Sequence, residues 1–295
     1  MSAILIDGKK VAEEIKAELR GRIEWLQRRS VTPNLTVILV GDDPASQVYV
    51  SMKKKACEDL GLFSETIRLP VQTSQDELIA RIEQLNQDAA VHGILVQMPL
   101  PPHMDANRII ETIHPQKDVD GFHPINVGRL VAGRPSFIPC TPAGIIELLR
   151  RYGYQTDGKH VVIVGRSNIV GKPLANLLIQ KSATGNATVT VCHTRTRSLV
   201  DFTRQADILI AAAGRARIIT GEMVKEGAVV IDVGVNRVAD STKKRGYRLE
   251  GDVDFASVSE KAAAITPVPG GVGPMTIVML MKNTIQAAEK QGALA

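Results

Sequence analysis

The stretch Val161-Val-Ile-Val-Gly165-Arg-Ser-Asn-Ile-Val-Gly171-Lys-Pro173 reads as a buried strand entering a glycine-bearing turn and then a helix, with Leu174, Leu177 and Leu178 as the helix's apolar positions. Such a turn aims backbone N–H groups and the positive end of a helix dipole at phosphate. It departs from G-x-G-x-x-G, because Ser167 stands at the second glycine position and Gly171 comes one residue late. Two readings stay open on the turn alone: a dinucleotide site, or a tight strand-to-helix connection without a ligand. The neighbouring chain favours the first, since strand, turn, helix and a second strand at 187–192 form one compact unit.

Working outward, apolar runs at 208–211 and 228–232 continue the alternation, and a Gly/Pro loop precedes a final helix from 275 to about Glu289. Upstream, Val11, Ile15, Leu19, Ile23 and Leu26 recur at helical spacing, and the run 35–40, closed by Gly41, reads as a buried strand. A helix follows at 46–60, stopped by Gly61, then a strand near 66–69. Ser74 and Glu77 make a capping box that opens a helix to about Gln87, and 93–97 is another buried strand. The stretch 114–140 shows no periodicity and is too long for an ordinary connector, which marks it as functional or disordered. Thr141 caps a helix with Pro142 at its first position and Gly153 at its end, and the domain boundary is expected there. Strands alternating with helices imply two α/β domains with mostly parallel sheets, with ligands outside the carboxyl ends of the strands.

Composition narrows the function. The chain has 295 residues, enough for two domains, and its 44% hydrophobic and 23% charged residues exclude a disordered or fibrous protein. The net charge of +5 is spread among acids, and with aromatics at 3% a base-stacking nucleic-acid binder is not expected. Cys57, Cys140 and Cys192 are scattered without zinc or disulfide spacing, so no metal is expected and a reducing compartment is. Residues 1–10 lack the apolar core of a signal peptide, and the apolar stretch 262–281 is broken by Pro267, Pro269, Gly270, Gly271, Gly273 and Pro274. A cytoplasmic location without membrane association follows as the expectation.

Two sets of residues carry chemistry. An NAD site would place an acid at the end of the second nucleotide strand, whereas a 2′-phosphate needs that acid absent and a base near. No Asp or Glu lies between Asp157 and Asp201; instead the strand ends Cys192-His-Thr194-Arg195-Thr-Arg197, with Arg166 in the first turn, which indicates NADP. Small residues at 211–214 and at Gly234 fit either close cofactor approach or ordinary packing. In the first half, Tyr49 and Lys53 sit four apart on one helix face, beside the strand end at Gly41. Tyr can stack on a flat heterocycle and Lys can move protons, although Lys54 and Lys55 beside it are compatible with a solvated surface cluster. Gln97 puts an amide at a buried strand's end, and Asp118 and Asp120 place two acids in the aperiodic stretch. A strand-end cap for Gln97 and an Asx turn at Asp120-Gly121 are the bland alternatives.

Taken together, the chain resembles the bifunctional methylenetetrahydrofolate dehydrogenase/cyclohydrolase family. The likeness runs through Val40-Gly-Asp-Asp-Pro-Ala-Ser-Gln-Val-Tyr49-Val-Ser-Met-Lys53, Val96-Gln97-Met-Pro-Leu-Pro, Lys117-Asp-Val-Asp120-Gly, Pro139-Cys-Thr-Pro142, the 165–173 turn and Thr266-Pro-Val-Pro269-Gly-Gly-Val-Gly273-Pro274-Met-Thr. The resemblance implies two α/β domains flanking a cleft: residues 1–140 bind folate, 141–274 form a Rossmann-like NADP domain, and the helix 275–295 packs back on the first. It further implies that Tyr49 stacks on the folate, Lys53 is the catalytic base or acid, Gln97 orients it and Asp120 binds the pterin edge. Pro269, Gly270 and Gly273 would contact folate, while Gly165, Arg166, Ser167, Thr194 and Val235 would line the NADP site. Tetrahydrofolate derivatives as substrates and a homodimer come with the resemblance. A two-domain amino-acid or shikimate dehydrogenase, or a module that only senses NADP, are the competing classes.

Overall fold

The computed structural model describes residues 3–243 and 246–292. The first half of the chain forms β1 (Ile4–Leu5), α1 (Gly8–Gln27), β2 (Asn34–Val40), α2 (Pro44–Leu60), β3 (Phe63–Leu69), α3 (Gln75–Gln87), β4 (Gly93–Val96), α4 (Ala106–Thr112) and α5 (Pro124–Val131). The second forms α6 (Cys140–Arg151), β5 (His160–Val164), α7 (Gly171–Leu178), β6 (Thr188–Cys192), α8 (Leu199–Thr203), β7 (Ile208–Ala211), β8 (Val229–Asp232), β9 (Asn236–Ala239), β10 (Tyr247–Glu250), α9 (Phe255–Ser259), β11 (Ala264–Ile265) and α10 (Val272–Gly292). These elements fall into two α/β units.

One unit contains Glu14–Cys140 and the chain from Ile277 on. Its sheet has three parallel strands in the order β3-β2-β4, with Leu35 level with Ser64 and with Gly93. β2 is central and buried along most of its length, which explains its unbroken apolar run. Ile38, Val40, Ile94 and Val96 pack with Leu78, Ile82 and Leu85 of α3, and burying each large aliphatic side chain contributes roughly 1.5–3 kcal/mol. α3 opens with the expected capping box, Ser74 Oγ accepting the Glu77 N–H and Glu77 Oε2 accepting the Ser74 N–H. From α10, Asn283 Nδ2 donates to Val119 O at 2.8 Å and Ile138 O at 3.0 Å, and Gln286 Nε2 donates to Ser136 O at 2.8 Å. These side chains satisfy carbonyls of the 114–140 stretch that no strand pairs.

The other unit contains residues up to Glu13 together with Thr141–Thr276. Its six strands are all parallel, in the order β1-β11-β8-β7-β5-β6, and β9 and β10 pair as a separate antiparallel ribbon. β5 has β6 on one side and β7 on the other, so the strand order reverses there. Val162, Val164, Leu209, Val230 and Ile265 lie in one buried cluster with Val253 and Val258.

Several details differ from the sequence reading. The first thirteen residues do not join the first domain: β1 pairs with β11, and its Ile4 and Leu5 are exposed edge residues without a readable burial pattern. The stretch 114–140 is not wholly irregular but contains α5, where His123 Nδ1 accepts the Ile125 N–H and Pro124 starts the helix. α6 begins one residue before Thr141, whose hydroxyl meets that of Thr276 at 2.9 Å instead of capping the helix. α10 starts at Val272, ahead of the expected 275, and residues 293–295 of that expectation lie outside the described residues.

Replacing Asn283 with Ala removes a donor from both carbonyls, and leaving a buried polar group such as Ile138 O unpaired costs about 1–3 kcal/mol. The expected result is a lower urea midpoint for the three-stranded unit, read from the fluorescence of Trp25, the only tryptophan.

Candidate active site

In the three-stranded unit the candidate residues gather where the parallel strands end. Asp43 Oδ2 accepts the Ser46 N–H at 2.7 Å and Pro44 sits in the first turn, so α2 starts directly beyond β2. Tyr49 and Lys53 lie one turn apart on this helix; Tyr49 is 39% exposed and Lys53 only 9%. Lys53 Nζ donates to Gln97 Oε1 at 3.0 Å, and Gln97 Nε2 donates to Met98 O at 2.7 Å, which turns the amide oxygen toward the lysine. Gln97 thus bonds both the Lys53 amine and the chain at its own strand end.

Asp120 arrives from the other side of β4. The Ile94 N–H donates to Lys117 O at 2.8 Å and Ile94 bridges Asp118 in parallel register; the chain then turns, the Gly121 N–H donating to Asp118 O, and this turn brings Asp120 within electrostatic reach of Lys53. The two aspartates then divide the work. Asp118 is 2% exposed and accepts from the N–H groups of Gly121 (3.1 Å), Phe122 (3.2 Å) and His123 (2.8 Å) and from Asn126 Nδ2 (2.8 Å). It is the Asp118 carboxylate, not that of Asp120, that collects the N–H groups of the turn. Burial pushes the Asp120 carboxyl above the ordinary carboxylate range, the Lys53 charge pulls it back, and Asp118 pushes it further up. Burial also drives the Cys140 thiol well up, with the Asp120 charge adding to it, and Cys140 Sγ donates to Val119 O at 3.5 Å. An amine held by an amide oxygen and facing a carboxylate in a mostly dry setting is an arrangement for moving protons.

In the six-stranded unit the expected cofactor residues all follow carboxyl ends of strands, Gly165, Arg166 and Ser167 after β5, Thr194 after β6 and Val235 after β8, and the expected folate contacts Pro269, Gly270 and Gly273 follow β11. Gly165 has φ of +140°, and a Cβ there would lie 2.1 Å from Ala212 O, so only glycine fits. Ser167 replaces the missing glycine actively: its Oγ accepts the N–H groups of Val170 at 3.1 Å and Gly171 at 3.4 Å, while Lys172 N–H donates to Ser167 O at 3.1 Å. The first amides of α7 are thus used inside the turn, while Arg166 and Ser167 are exposed at its surface. At the end of β6 the His193 N–H donates to Thr196 Oγ1 at 2.9 Å, a tight loop that leaves Thr194, Arg195 and Arg197 exposed. Among the described residues no group of three or more His, Cys, Asp or Glu is placed to hold a metal ion.

Sequence reasoning passed over Asn126, Asn283 and the buried pair Asp232 and Asp252. Their roles rest on backbone groups distant in the chain, and only the Gly251-Asp252 dipeptide hinted at a turn.

A parallel sheet with a glycine turn at its order reversal, joined in one chain to a lysine–amide–carboxylate set, defines a dinucleotide-dependent enzyme that also carries groups suited to proton transfer. Comparison with known proteins makes this specific. Residues 6–120 match the tetrahydrofolate dehydrogenase/cyclohydrolase catalytic domain, and residues 139–292 match the NAD(P)-binding domain of the same family. The bifunctional protein FolD of Prosthecochloris aestuarii is 61% identical over 96% of this chain and 97% of its own length. The crystal structure of the bifunctional FolD methylenetetrahydrofolate dehydrogenase/cyclohydrolase of Campylobacter jejuni is 50% identical, with a TM-score of 0.92 over 98% of this chain and 99% of that one. That of the Trypanosoma brucei enzyme, complexed with NADP cofactor and inhibitor, is 43% identical, with a TM-score of 0.93 over 98% of each chain. The chain belongs to the tetrahydrofolate dehydrogenase/cyclohydrolase family.

Replacing Gly165 with Ala forces a side chain into a backbone conformation that costs about 1–3 kcal/mol, before the overlap with Ala212 O is relieved. Scanning calorimetry is expected to show a lower melting temperature.

Proposed function

We propose that this chain catalyses the NADP-dependent oxidation of 5,10-methylenetetrahydrofolate to 5,10-methenyltetrahydrofolate and then its hydrolysis to 10-formyltetrahydrofolate. The observation that carries the reading is the buried Lys53 Nζ, 3.0 Å from Gln97 Oε1, with the Asp120 carboxyl in its electrostatic reach. Family membership supplies the substrate class.

The residues present fit NADP. The chain leaving β6 offers no carboxylate to a ribose hydroxyl, and exposed Arg166, Arg195 and Arg197 offer guanidinium groups to a 2′-phosphate. Gly165, Arg166, Ser167, Thr194 and Val235 would hold the cofactor, whose chemistry when bound is acceptance of a hydride from the methylene carbon. For that step the protein mainly positions the reactants and needs no base of its own.

Tyr49 stacks on the folate ring system, Asp120 holds the amino-pyrimidine edge by paired hydrogen bonds, and Pro269, Gly270 and Gly273 are further folate contacts. Lys53 acts in the hydrolysis. The methenyl product is a cation, which opens its bridging carbon to attack by water. Water attacks the methenyl carbon as Lys53 Nζ takes its proton; the remaining hydroxyl proton moves to the ring nitrogen as the C–N bond breaks. One proton is released overall, and general-base help of this kind is worth about 10²- to 10⁴-fold. Gln97 Oε1 keeps the amine aimed throughout.

The protein is proposed to work as a homodimer in the cytoplasm, on a small molecule and without nucleic acid or membrane. Three buried, unbridged cysteines suit a reducing compartment, and no described helix is long and apolar enough to cross a membrane.

Lys53→Met is expected to abolish hydrolysis of methenyltetrahydrofolate while NADP affinity, measured by calorimetry, stays at the parent value; unchanged hydrolysis would remove Lys53 from the mechanism. NADP is also expected to support faster oxidation than NAD at equal concentration, and the reverse preference would defeat the arginine assignment.

A further inference from the structure

Two aspartates that no part of the mechanism uses lie beneath the carboxyl edge of the six-stranded sheet, Asp252 at 0% and Asp232 at 4% exposure. Asp252 Oδ2 accepts the N–H groups of Ala213 at 2.6 Å and Gly214 at 2.9 Å. Its Oδ1 accepts the Arg215 N–H and Asn236 Nδ2, each at 2.9 Å. One carboxylate thereby ties the loop leaving β7 to the loop leaving β8. Asp232 fixes Asp252 in turn: Oδ1 accepts the Asp252 N–H at 2.9 Å and the Gly234 N–H at 3.1 Å, and Oδ2 accepts the Val253 N–H at 3.0 Å. The Asp232 N–H donates to Thr266 Oγ1 at 2.7 Å, at the end of β11.

The space is committed as tightly as the hydrogen bonds. A Cβ on Gly234 would lie 2.0 Å from Asp252 Oδ1, and one on Gly251 would lie 1.7 Å from Asp232 Oδ2. The loop Ala212-Ala213-Gly214 has no side chain large enough to anchor itself, and Val235, between the held Gly234 and Asn236, is 43% exposed. Amides pinned from beneath leave the opposite face of both loops in one fixed conformation. A site ordered before its ligand arrives does not spend binding energy on ordering.

We propose that Asp252 is a positioning residue of the NADP site: it does not touch the cofactor but presets the 213–215 and 234–236 loops that receive it, with Asp232 holding it in place. The proposal rests on the reading of this edge as the NADP site. It predicts a loss confined to cofactor binding, because hydrolysis of methenyltetrahydrofolate needs no NADP and uses Lys53.

The test uses the full chain in three forms: the parent, Asp252→Asn, which places an NH₂ among N–H donors, and Asn236→Ala, which removes one arm of the network. NADP affinity is measured by titration calorimetry, and hydrolysis of methenyltetrahydrofolate is measured without cofactor. The expected result is NADP binding weakened at least about tenfold in Asp252→Asn and about threefold in Asn236→Ala, with kcat and folate KM of hydrolysis within about twofold of the parent. NADP affinity within about twofold of the parent in either variant that retains hydrolysis overturns the proposal. Loss of hydrolysis together with NADP binding in both variants also overturns it, since the pair would then serve the fold as a whole. A parent protein that fails to bind NADP would instead sink the functional reading beneath it.

Discussion

A carboxylate shut away from water must find its donors inside the protein, and both units here are organised around that requirement. Asp118 collects three backbone N–H groups and an amide from a single turn, while Asp252 collects three backbone N–H groups and an amide from two loops. In each case an irregular segment beyond a strand end gains the definition that a sheet would otherwise provide. Irregular backbone carries chemistry only if something holds it still, and a buried charge is an effective holder because leaving it unmet is so costly.

This division of labour explains why the site was partly legible in the sequence. Tyr49, Lys53 and Gln97 could be placed because strand ends and helix starts are local events: β2 stops at a glycine, Asp43 and Pro44 open α2, and β4 is a short apolar run. The two acids of Lys117-Asp118-Val119-Asp120 could not be told apart in the same way. Their roles depend on which carboxylate collects the N–H groups of the turn and which lies within reach of Lys53, and neighbouring residues in a chain share the same local pattern. The Lys53–Gln97 hydrogen bond likewise spans 44 positions and has no sequence signature.

The fold shows the same boundary. The two-residue β11 escaped the sequence reading, whereas β5, β7 and β8 of the six-stranded unit were readable from their apolar runs, because parallel strands buried on both faces leave unbroken apolar stretches. β1 was not, since two exposed residues at a sheet edge carry neither alternation nor an apolar run. α5 hid behind its Pro124 and Gly128, residues that in sequence suggest a break and here begin a helix and sit on its open side. Ser167 was read as a departure from the glycine fingerprint; its hydroxyl supplies the turn's internal hydrogen bonds, so the change of residue preserves the geometry by a different chemistry.

The placement of Asn283 has a consequence for how the protein is made. Val119 and Ile138, whose carbonyls it satisfies, leave the ribosome more than a hundred residues before it does. The six-stranded sheet is similarly split between its first strand and one near the other end of the chain. Contacts so distant in sequence close late, and until they do the intermediate exposes unpaired backbone. Vectorial synthesis therefore delivers Tyr49, Lys53, Gln97 and Asp120 early but leaves the segment that carries Asp120 waiting for its last donors, so a nascent chain stopped short of α10 would hold every residue named for catalysis without a settled place for them.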